Sequence, residues 1–133
     1  MSTAEQLFQS AQKARENAYA PYSRFEVGAA ILTTSGKIYV GCNVENASYP
    51  CGTCAEAGAI AAMVASGERQ IAEILVLAEA EHILPCGNCL QKIAEFATPN
   101  TLVHSADLHH IIASHRLTDL LPQIFSLEKT DGK

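Results

Sequence analysis

The sequence predicts a single α/β domain in which helices pack on the faces of a mixed sheet. A two-strand hairpin follows the first helix and later strands alternate with helices, an order that is typical of such sheets. The chain has 133 residues, of which 48% are hydrophobic and 17% are charged. That is enough apolar mass for one core and too short a chain for a second. We therefore expect residues 1–133 to form one domain.

The first half of the predicted order is a helix followed by the hairpin. Apolar residues recur at helical spacing from Ala4 to Tyr19, and Pro21 ends this helix because it lacks an amide hydrogen. The β-rich runs Val27 to Thr33 and Lys37 to Cys42 flank the turn residues Thr34-Ser35-Gly36. This composition predicts a hairpin.

The second half alternates helices and strands. An alanine-rich helix is predicted from Cys54 to Ser66, and an apolar run from Ile71 to Leu77 predicts a buried strand. The remaining predicted elements are a helix from Pro85 to Phe96 that Pro99-Asn100 closes, a short strand from Thr101 to His104, a helix from Leu117 to Leu121 and a frayed tail from Glu128 to Lys133.

Charge and cysteine content narrow the classes of function. The net charge is −5 and the nine Lys and Arg residues are scattered, which argues against a nucleic acid polymer and favours a small, weakly charged substrate. No run approaches the roughly 20 apolar residues of a membrane span, and the N-terminal segment does not resemble a secretory signal. Five cysteines, an odd number, favour metal binding or catalysis over disulfides. We expect a cytoplasmic protein without membrane contact.

Two cysteine motifs indicate a metal site. Cys86 and Cys89 are three positions apart at the start of a predicted helix, where two thiolates can turn toward one ion. This motif alone is equally typical of a redox site or a structural zinc site. If the end of the helix that Cys54 opens faces the end of the helix that carries Cys86, Cys54 completes a three-thiolate set with the fourth tetrahedral position left for water. Glu56 then points at that position, which predicts a catalytic zinc with Glu56 as the proton shuttle.

A closed structural site is the alternative at this point. Cys51 and Cys54 form a second C-x-x-C motif, and four thiolates would leave no position for water. The interval from Cys54 to Cys86 exceeds the roughly 15–20 residues typical of zinc ribbons and contains a helix and a strand, which disfavours this alternative. Glu56 would then be an ordinary solvated acid in a first helical turn. Cys42, at a strand end, is interpreted as a small buried hydrophobe.

Several motifs together resemble one family. The C-A-E motif of Cys54-Ala55-Glu56, followed by the P-C-x-x-C motif of Pro85 to Cys89, resembles the zinc nucleoside deaminases. The flanking motifs resemble, in the same order, those of the short-chain, three-cysteine cytidine deaminases. They are Ala20-Pro21-Tyr22-Ser23-Arg24-Phe25, Val27-Gly28-Ala29-Ala30, Gly41-Cys42-Asn43-Val44-Glu45-Asn46-Ala47-Ser48-Tyr49, and Leu120-Leu121-Pro122 with Phe125. The resemblance spans most of the chain.

The resemblance implies a fold, an activity and an assembly. The fold is a three-layer α/β/α sandwich with a mixed five-stranded sheet. The activity is hydrolytic deamination of cytidine or 2′-deoxycytidine to uridine or 2′-deoxyuridine with release of ammonia, a reaction of pyrimidine salvage. The implied cofactor is one Zn²⁺ per chain, and the implied assembly is a homotetramer.

The resemblance also implies roles for substrate-binding residues. Asn43 and Glu45 would bind the ribose hydroxyls, Phe25 would stack near the pyrimidine, and the Ala55 amide would hold the base carbonyl. Two further aromatic residues, Tyr49 and Phe125, would help complete the pocket of a neighbouring subunit. Phe25 and Phe125 can also be interpreted as core residues.

Two positions depart from the family pattern. Ala57 and Leu90 stand where arginine is common, and such arginines offset the charge of the thiolates. Two alternatives to a cytidine deaminase therefore stay open. One is a sister deaminase acting on a modified nucleoside, such as an aminoacylated cytosine nucleoside antibiotic, and the other is a zinc-binding module without catalysis.

Overall fold

The computed structural model describes residues 1–129 and has a five-stranded sheet with helices on both faces. The elements are, in chain order, α1 (Thr3–Arg15), β1 (Val27–Thr33), β2 (Ile38–Cys42), a 3-10 turn (Tyr49–Cys51), α2 (Ala55–Ala65), β3 (Ile71–Ala78), α3 (Gly87–Glu95), β4 (Ala97–Ala106), β5 (Ile111–Arg116) and α4 (Leu117–Leu120). The predicted α/β fold with a mixed sheet is confirmed.

The sheet is mixed because one strand pair is parallel. The strand order is β2-β1-β3-β4-β5. β3 and β4 run parallel, with α3 between them in the chain, and the other neighbouring pairs are antiparallel. The predicted hairpin of β1 and β2 is present, and Gly36 in its turn has a φ of 92°, a conformation that glycine adopts without steric cost.

The core has two parts, one on each face of the sheet. Alternation along β1 sends Ala29 and Ile31 toward α2 and α3, whereas Ala30 faces α1. On the α1 side, Leu7 and Ala11 are fully buried against the sheet. Two helical layers with the sheet between them give the three-layer arrangement.

A close approach of backbones fixes helix α2 on strand β2. A Cβ atom added to Gly41 would lie 2.4 Å from the Ala55 carbonyl oxygen and 2.4 Å from the Ala59 amide nitrogen. Only a glycine in β2 therefore allows α2 to pack at this distance. The contact sets the position of the N-terminus of α2, where the C-A-E motif lies.

The predicted first helix is too long, because α1 ends at Arg15 and not at Tyr19. The Tyr19 amide donates a hydrogen bond to the Asn43 carbonyl at 3.0 Å, and the Glu45 amide donates to the Tyr19 carbonyl at 2.8 Å. These tertiary hydrogen bonds replace the helical ones, so the segment after Arg15 leaves the helix and pairs with the chain beyond β2.

The prediction for β4 and β5 is also wrong in part. Pro99 and Asn100 do not close α3; they lie inside β4, where the pairing with β3 shifts register between Ala97 and Leu102. Proline is tolerated at such a bulge because its missing amide is not needed for pairing. The edge strand β5 was not predicted, since its half-exposed residues, Ile111 to Arg116, show no alternating pattern. α3 begins at Gly87, with Cys86 as its N-cap, and not at Pro85.

The predicted frayed tail lies partly outside the described residues. Within them, the Lys129 Nζ atom lies 3.5 Å from Glu95 Oε2. Residues 130–133 are not described, so the tail stays a prediction. Across residues 1–129, none of the helices combines the length and the apolarity that a membrane crossing requires.

Candidate functional site

Two helix N-termini bring two cysteines and one glutamate together. Cys54 is the N-cap of α2, Glu56 lies in the first turn of that helix, and Cys89 lies in the first turn of α3. The two sulfurs are 2.7 Å apart. One carboxylate oxygen of Glu56 and both sulfurs all lie within 4.8 Å of one another. The convergence of the two helix ends that the sequence predicted is therefore present in the fold.

The three groups perturb one another electrostatically. The hydrogen bond shared with Cys89 lowers the pKa of Cys54 to about 6, and the Ala57 amide and the Lys92 charge act in the same direction. The same hydrogen bond, with burial, raises the pKa of Cys89, so the two sulfurs share one proton. Burial raises the pKa of Glu56, which is only 5% exposed, to about 7, and the charge of Cys54 adds to the effect.

The other cysteines are placed differently. Cys86 is exposed at the N-cap of α3 and is not part of the group that converges within 4.8 Å. It is still close enough for its charge to contribute to the raised pKa of Cys89. Cys51 is exposed in the 3-10 turn and also lies outside the group, and Cys42 is partly buried at the end of β2. Of these three cysteines, Cys86 is the one that acts on the group electrostatically, which favours it over Cys51 as a further ligand.

The donor set fits zinc. Thiolates at helix N-termini are favoured by the local backbone amides, and thiolate ligands are those that zinc prefers over calcium or magnesium. Binding a metal would release the proton that the two sulfurs share, because the ligand form of cysteine is the thiolate. Cys89 and Glu56 are buried, whereas Cys54 is partly exposed and, with Glu56, lines a cavity, which suits a site that keeps a position for water.

A cavity of about 530 Å³ lies beside this cluster. Cys54, Ala55 and Glu56 form part of its wall, and Asn43 and Glu45 form another part. The volume falls in the range of about 300–1,000 Å³ that is usual for small-molecule pockets. The predicted ligand and shuttle residues of α2 and the predicted ribose-binding residues thus share one cavity.

Asn43 is held rigidly by backbone groups on both sides of its amide. Its Oδ1 accepts a hydrogen bond from the Val27 amide at 2.9 Å, and its Nδ2 donates to the Phe25 carbonyl at 2.8 Å. These contacts define which atom is nitrogen and which is oxygen. An asparagine amide has two N–H donors and two acceptor lone pairs, so each atom retains capacity for one further partner.

Of the three aromatic residues that are predicted to bind the substrate, one lines the cavity. Tyr49 lines the cavity and is 78% exposed. Phe25 is 40% exposed and Phe125 is 70% exposed, and neither is among the described residues that line the cavity. The interpretation of Phe25 and Phe125 as core residues is therefore wrong. The carbonyl of Phe125 accepts a hydrogen bond from Gln91 Nε2 at 2.9 Å, which holds this segment against α3.

Comparison with known proteins identifies the family. Residues 1–105 match the family model described as the cytidine and deoxycytidylate deaminase zinc-binding region. The chain belongs to this deaminase family. It is 43% identical over 125 residues to the cytidine deaminase of Sporosarcina psychrophila, a match that covers 93% of this chain and 92% of that protein.

Solved deaminase structures share the fold over nearly the full chain. The crystal structure of cytidine deaminase from Burkholderia pseudomallei superposes with a TM-score of 0.87 at 42% identity, covering 94% of this chain and 100% of that one. The cytidine deaminase of Mycobacterium tuberculosis gives a TM-score of 0.83 at 35% identity, covering 96% and 100%. The chain is therefore an enzyme of the deaminase class that carries a zinc-binding domain.

Sequence reasoning missed several residues of the deaminase cavity. Tyr22 and Ser23 line it and contact Glu45, and the apolar side chains of Val76 and Ile83 complete its wall. Tyr22 and Ser23 lie inside a motif that carries the family resemblance, so their position in the pocket could have been predicted from it. Val76 and Ile83 carry no local signal, because Val76 lies in a run of apolar residues in β3 and Ile83 lies in a loop.

Proposed function

We propose that the chain hydrolyses cytidine and 2′-deoxycytidine to uridine and 2′-deoxyuridine with release of ammonia. The observation that carries this proposal is the convergence of Cys54, Cys89 and a buried Glu56 beside a cavity of about 530 Å³. Deamination by hydrolysis needs an activated water and a proton carrier next to a pocket for the base. The names of the similar proteins support the choice of a cytosine nucleoside.

The ligands of the zinc are proposed to be Cys54, Cys86 and Cys89. Support for Cys86 comes from its place one helical turn before Cys89 at the same helix end, and from its electrostatic influence on that residue. When bound, zinc supplies a water whose pKa falls from 15.7 to about 7. Three protein ligands leave the fourth tetrahedral position for that water.

Glu56 is proposed as the proton shuttle. Its carboxylate lines the cavity and lies within 4.8 Å of two proposed ligand sulfurs, which supports a position next to both a water on the metal and a base in the cavity. Glu56 takes one proton of the water and delivers it to ring N3, which makes C4 electrophilic, and the hydroxide left from the water forms a bond to C4. Glu56 then takes the remaining proton of this new hydroxyl group and transfers it to the amino group, so that the C4–N bond breaks and ammonia leaves.

Four residues are proposed to hold the nucleoside. The Ala55 amide is the first of α2 and lies outside the hydrogen-bond ladder of that helix, so it is available to the base carbonyl. Asn43 and Glu45 face the cavity and retain hydrogen-bond capacity for ribose hydroxyls. Phe25 is not among the described residues that line the cavity, but its carbonyl accepts a hydrogen bond from Asn43, which does line it. This adjacency supports the proposal that Phe25 stacks near the pyrimidine.

A homotetramer in the cytoplasm is proposed as the working state. Tyr49 and Phe125 are 78% and 70% exposed, and large exposed aromatic residues are typical of surfaces that a second chain covers. All five cysteines, which lie among the described residues, are unpaired, which supports a reducing compartment. Light scattering of the purified protein gives the mass of the assembly, and a monomer would contradict the tetramer.

The activity is tested by ammonia release from a panel of aminated nucleosides. The zinc-loaded protein should release ammonia from cytidine and 2′-deoxycytidine with formation of the uracil nucleosides, and removal of the metal by a chelator should stop the reaction. Turnover of a modified cytosine nucleoside alone would instead identify a sister deaminase. Bound zinc without turnover of any nucleoside would identify a non-catalytic module.

A further inference from the structure

The loop before β1 is bound to the Glu45 side chain by three hydrogen bonds. The Tyr22 and Ser23 amides donate to Glu45 Oε1 at 2.9 and 3.1 Å, and the Ser23 hydroxyl donates to Glu45 Oε2. The same hydroxyl oxygen accepts a hydrogen bond from the Phe25 amide at 3.0 Å. Ser23 thus joins two residues that are proposed to contact the nucleoside.

The hydrogen-bond count leaves one position on the Glu45 carboxylate. An ionised carboxylate offers about four acceptor positions, two on each oxygen. Oε1 accepts both amides and Oε2 accepts the Ser23 hydroxyl, so the remaining position is on Oε2. Glu45 lines the cavity, and its hydrogen bond from Ser23 is the main reason why its pKa lies below the ordinary value. The carboxylate is therefore a charged acceptor at neutral pH.

The backbone of the loop is shaped to present Ser23. Arg24 has a φ of 62°, a left-handed conformation that is unfavourable for a residue with a side chain. The Arg24 amide closes the turn by donating to the Ala20 carbonyl at 2.9 Å. The unfavourable conformation lies next to the hydrogen bonds that Tyr22 and Ser23 make to Glu45. The turn and these hydrogen bonds together hold the loop against the carboxylate.

We propose that Ser23 is a positioning residue that orients the Glu45 carboxylate toward a sugar hydroxyl and so sets the preference for nucleosides that carry this hydroxyl. The inference rests on the proposed function, in which Glu45 binds the ribose. Without the Ser23 hydroxyl, Oε2 has no fixed direction and the carboxylate rotates about its amide contacts. The hydroxyl of the substrate then meets a less well-placed acceptor, and the reacting atoms at the other end of the nucleoside are unaffected.

The test compares cytidine with 2′,3′-dideoxycytidine, which lacks both secondary hydroxyls. Ser23→Ala should raise the KM for cytidine about tenfold, the loss expected for one weakened hydrogen bond to a charged group, with kcat nearly unchanged. The KM for dideoxycytidine should change by less than about twofold, because no sugar hydroxyl meets Glu45. The preference for cytidine over the dideoxy substrate should fall accordingly.

Matched variants separate positioning from general disruption. Ser23→Thr keeps the hydroxyl and should restore the KM, and Ser48→Ala, in the loop that leads to Tyr49, should leave both substrates unaffected. In a Glu45→Gln background, Ser23→Ala should add little to the KM. If the alanine variant does not fold, Ser23→Cys, a weak donor of similar size, takes its place with the same expectations.

Two results would overturn the inference. One is an unchanged KM for cytidine in Ser23→Ala, and the other is an equal loss for cytidine and dideoxycytidine, which would make Ser23 a structural residue only. Failure of the proposed function is recognised separately, because the unmodified protein would then turn over neither substrate.

Discussion

The packing of α2 on β2 can be tested by adding the same methyl group to either side of the contact. In Gly41→Ala the new Cβ would lie 2.4 Å from the Ala55 carbonyl oxygen and 2.4 Å from the Ala59 amide nitrogen, both of them backbone atoms. In Gly58→Ala, on the α2 side, the nearest atom would be the Gly41 Cα at 3.6 Å, which is ordinary contact.

The two substitutions should change stability in opposite directions. Relief of the Gly41→Ala overlap requires α2 to move by roughly 1 Å, and overpacking of this kind costs about 1–3 kcal/mol of unfolding free energy, occasionally more. Gly58→Ala meets no obstacle and removes a glycine from a helix interior, which should stabilise by about 0.5–1 kcal/mol. A 1 Å shift of α2 would also move Glu56 relative to Cys89, and such misplacement can lower turnover about 100-fold.

Urea unfolding of both variants in the presence of a chelator measures the packing term without the contribution of the metal. Zinc content and turnover are then measured on the loaded proteins. Wild-type stability, zinc content and turnover in Gly41→Ala would refute the reasoning. Equal destabilisation by the two substitutions would also refute it, because the asymmetry of the contact would then have no effect.

Two further predictions concern the cysteines and a buried network on the sheet. Cys86→Ser should reduce zinc content strongly, whereas Cys51→Ser, which changes an equally exposed cysteine, should keep one zinc per chain; the reverse outcome in a metal analysis would favour the four-thiolate site. Glu73→Ala should lower the unfolding free energy by about 1–3 kcal/mol, because Glu73 Oε1 lies 2.7 Å from Nε2 of the buried His104. Glu73→Gln, which keeps an acceptor, should lose less in urea unfolding, and wild-type stability of the alanine variant would contradict the argument.

The predictable part of the fold is the part that local chemistry determines. The hairpin follows from a turn that needs Gly36, and β3 follows from an apolar run that is long enough for one buried strand. The end of α1 could not be predicted, because Tyr19 leaves the helix for partners more than 20 residues away. β5 was missed for a related reason, since an edge strand needs few apolar residues and gains its hydrogen bonds from β4.

The candidate site also has a part that local sequence predicts and a part that it does not. Cys54, Glu56 and Cys89 were predictable, because helix N-termini and short spacing bring such side chains to one place. The contact of Ser23 with Glu45 joins two loops and has no spacing rule, so it became visible only in the folded chain. The exposed position of Cys86 could not be predicted either, because a motif gives the spacing of the cysteines but not the direction of their side chains.

The most direct measurement is zinc content and cytidine turnover of Glu56→Gln, taken on the same sample. Glutamine keeps the size of the side chain but does not carry the proton, so we expect one zinc per chain and a loss of turnover of about 10²–10⁴-fold. Undiminished turnover would contradict the proton shuttle. Loss of the zinc would contradict the assignment in another way, because it would make Glu56 a ligand of the metal.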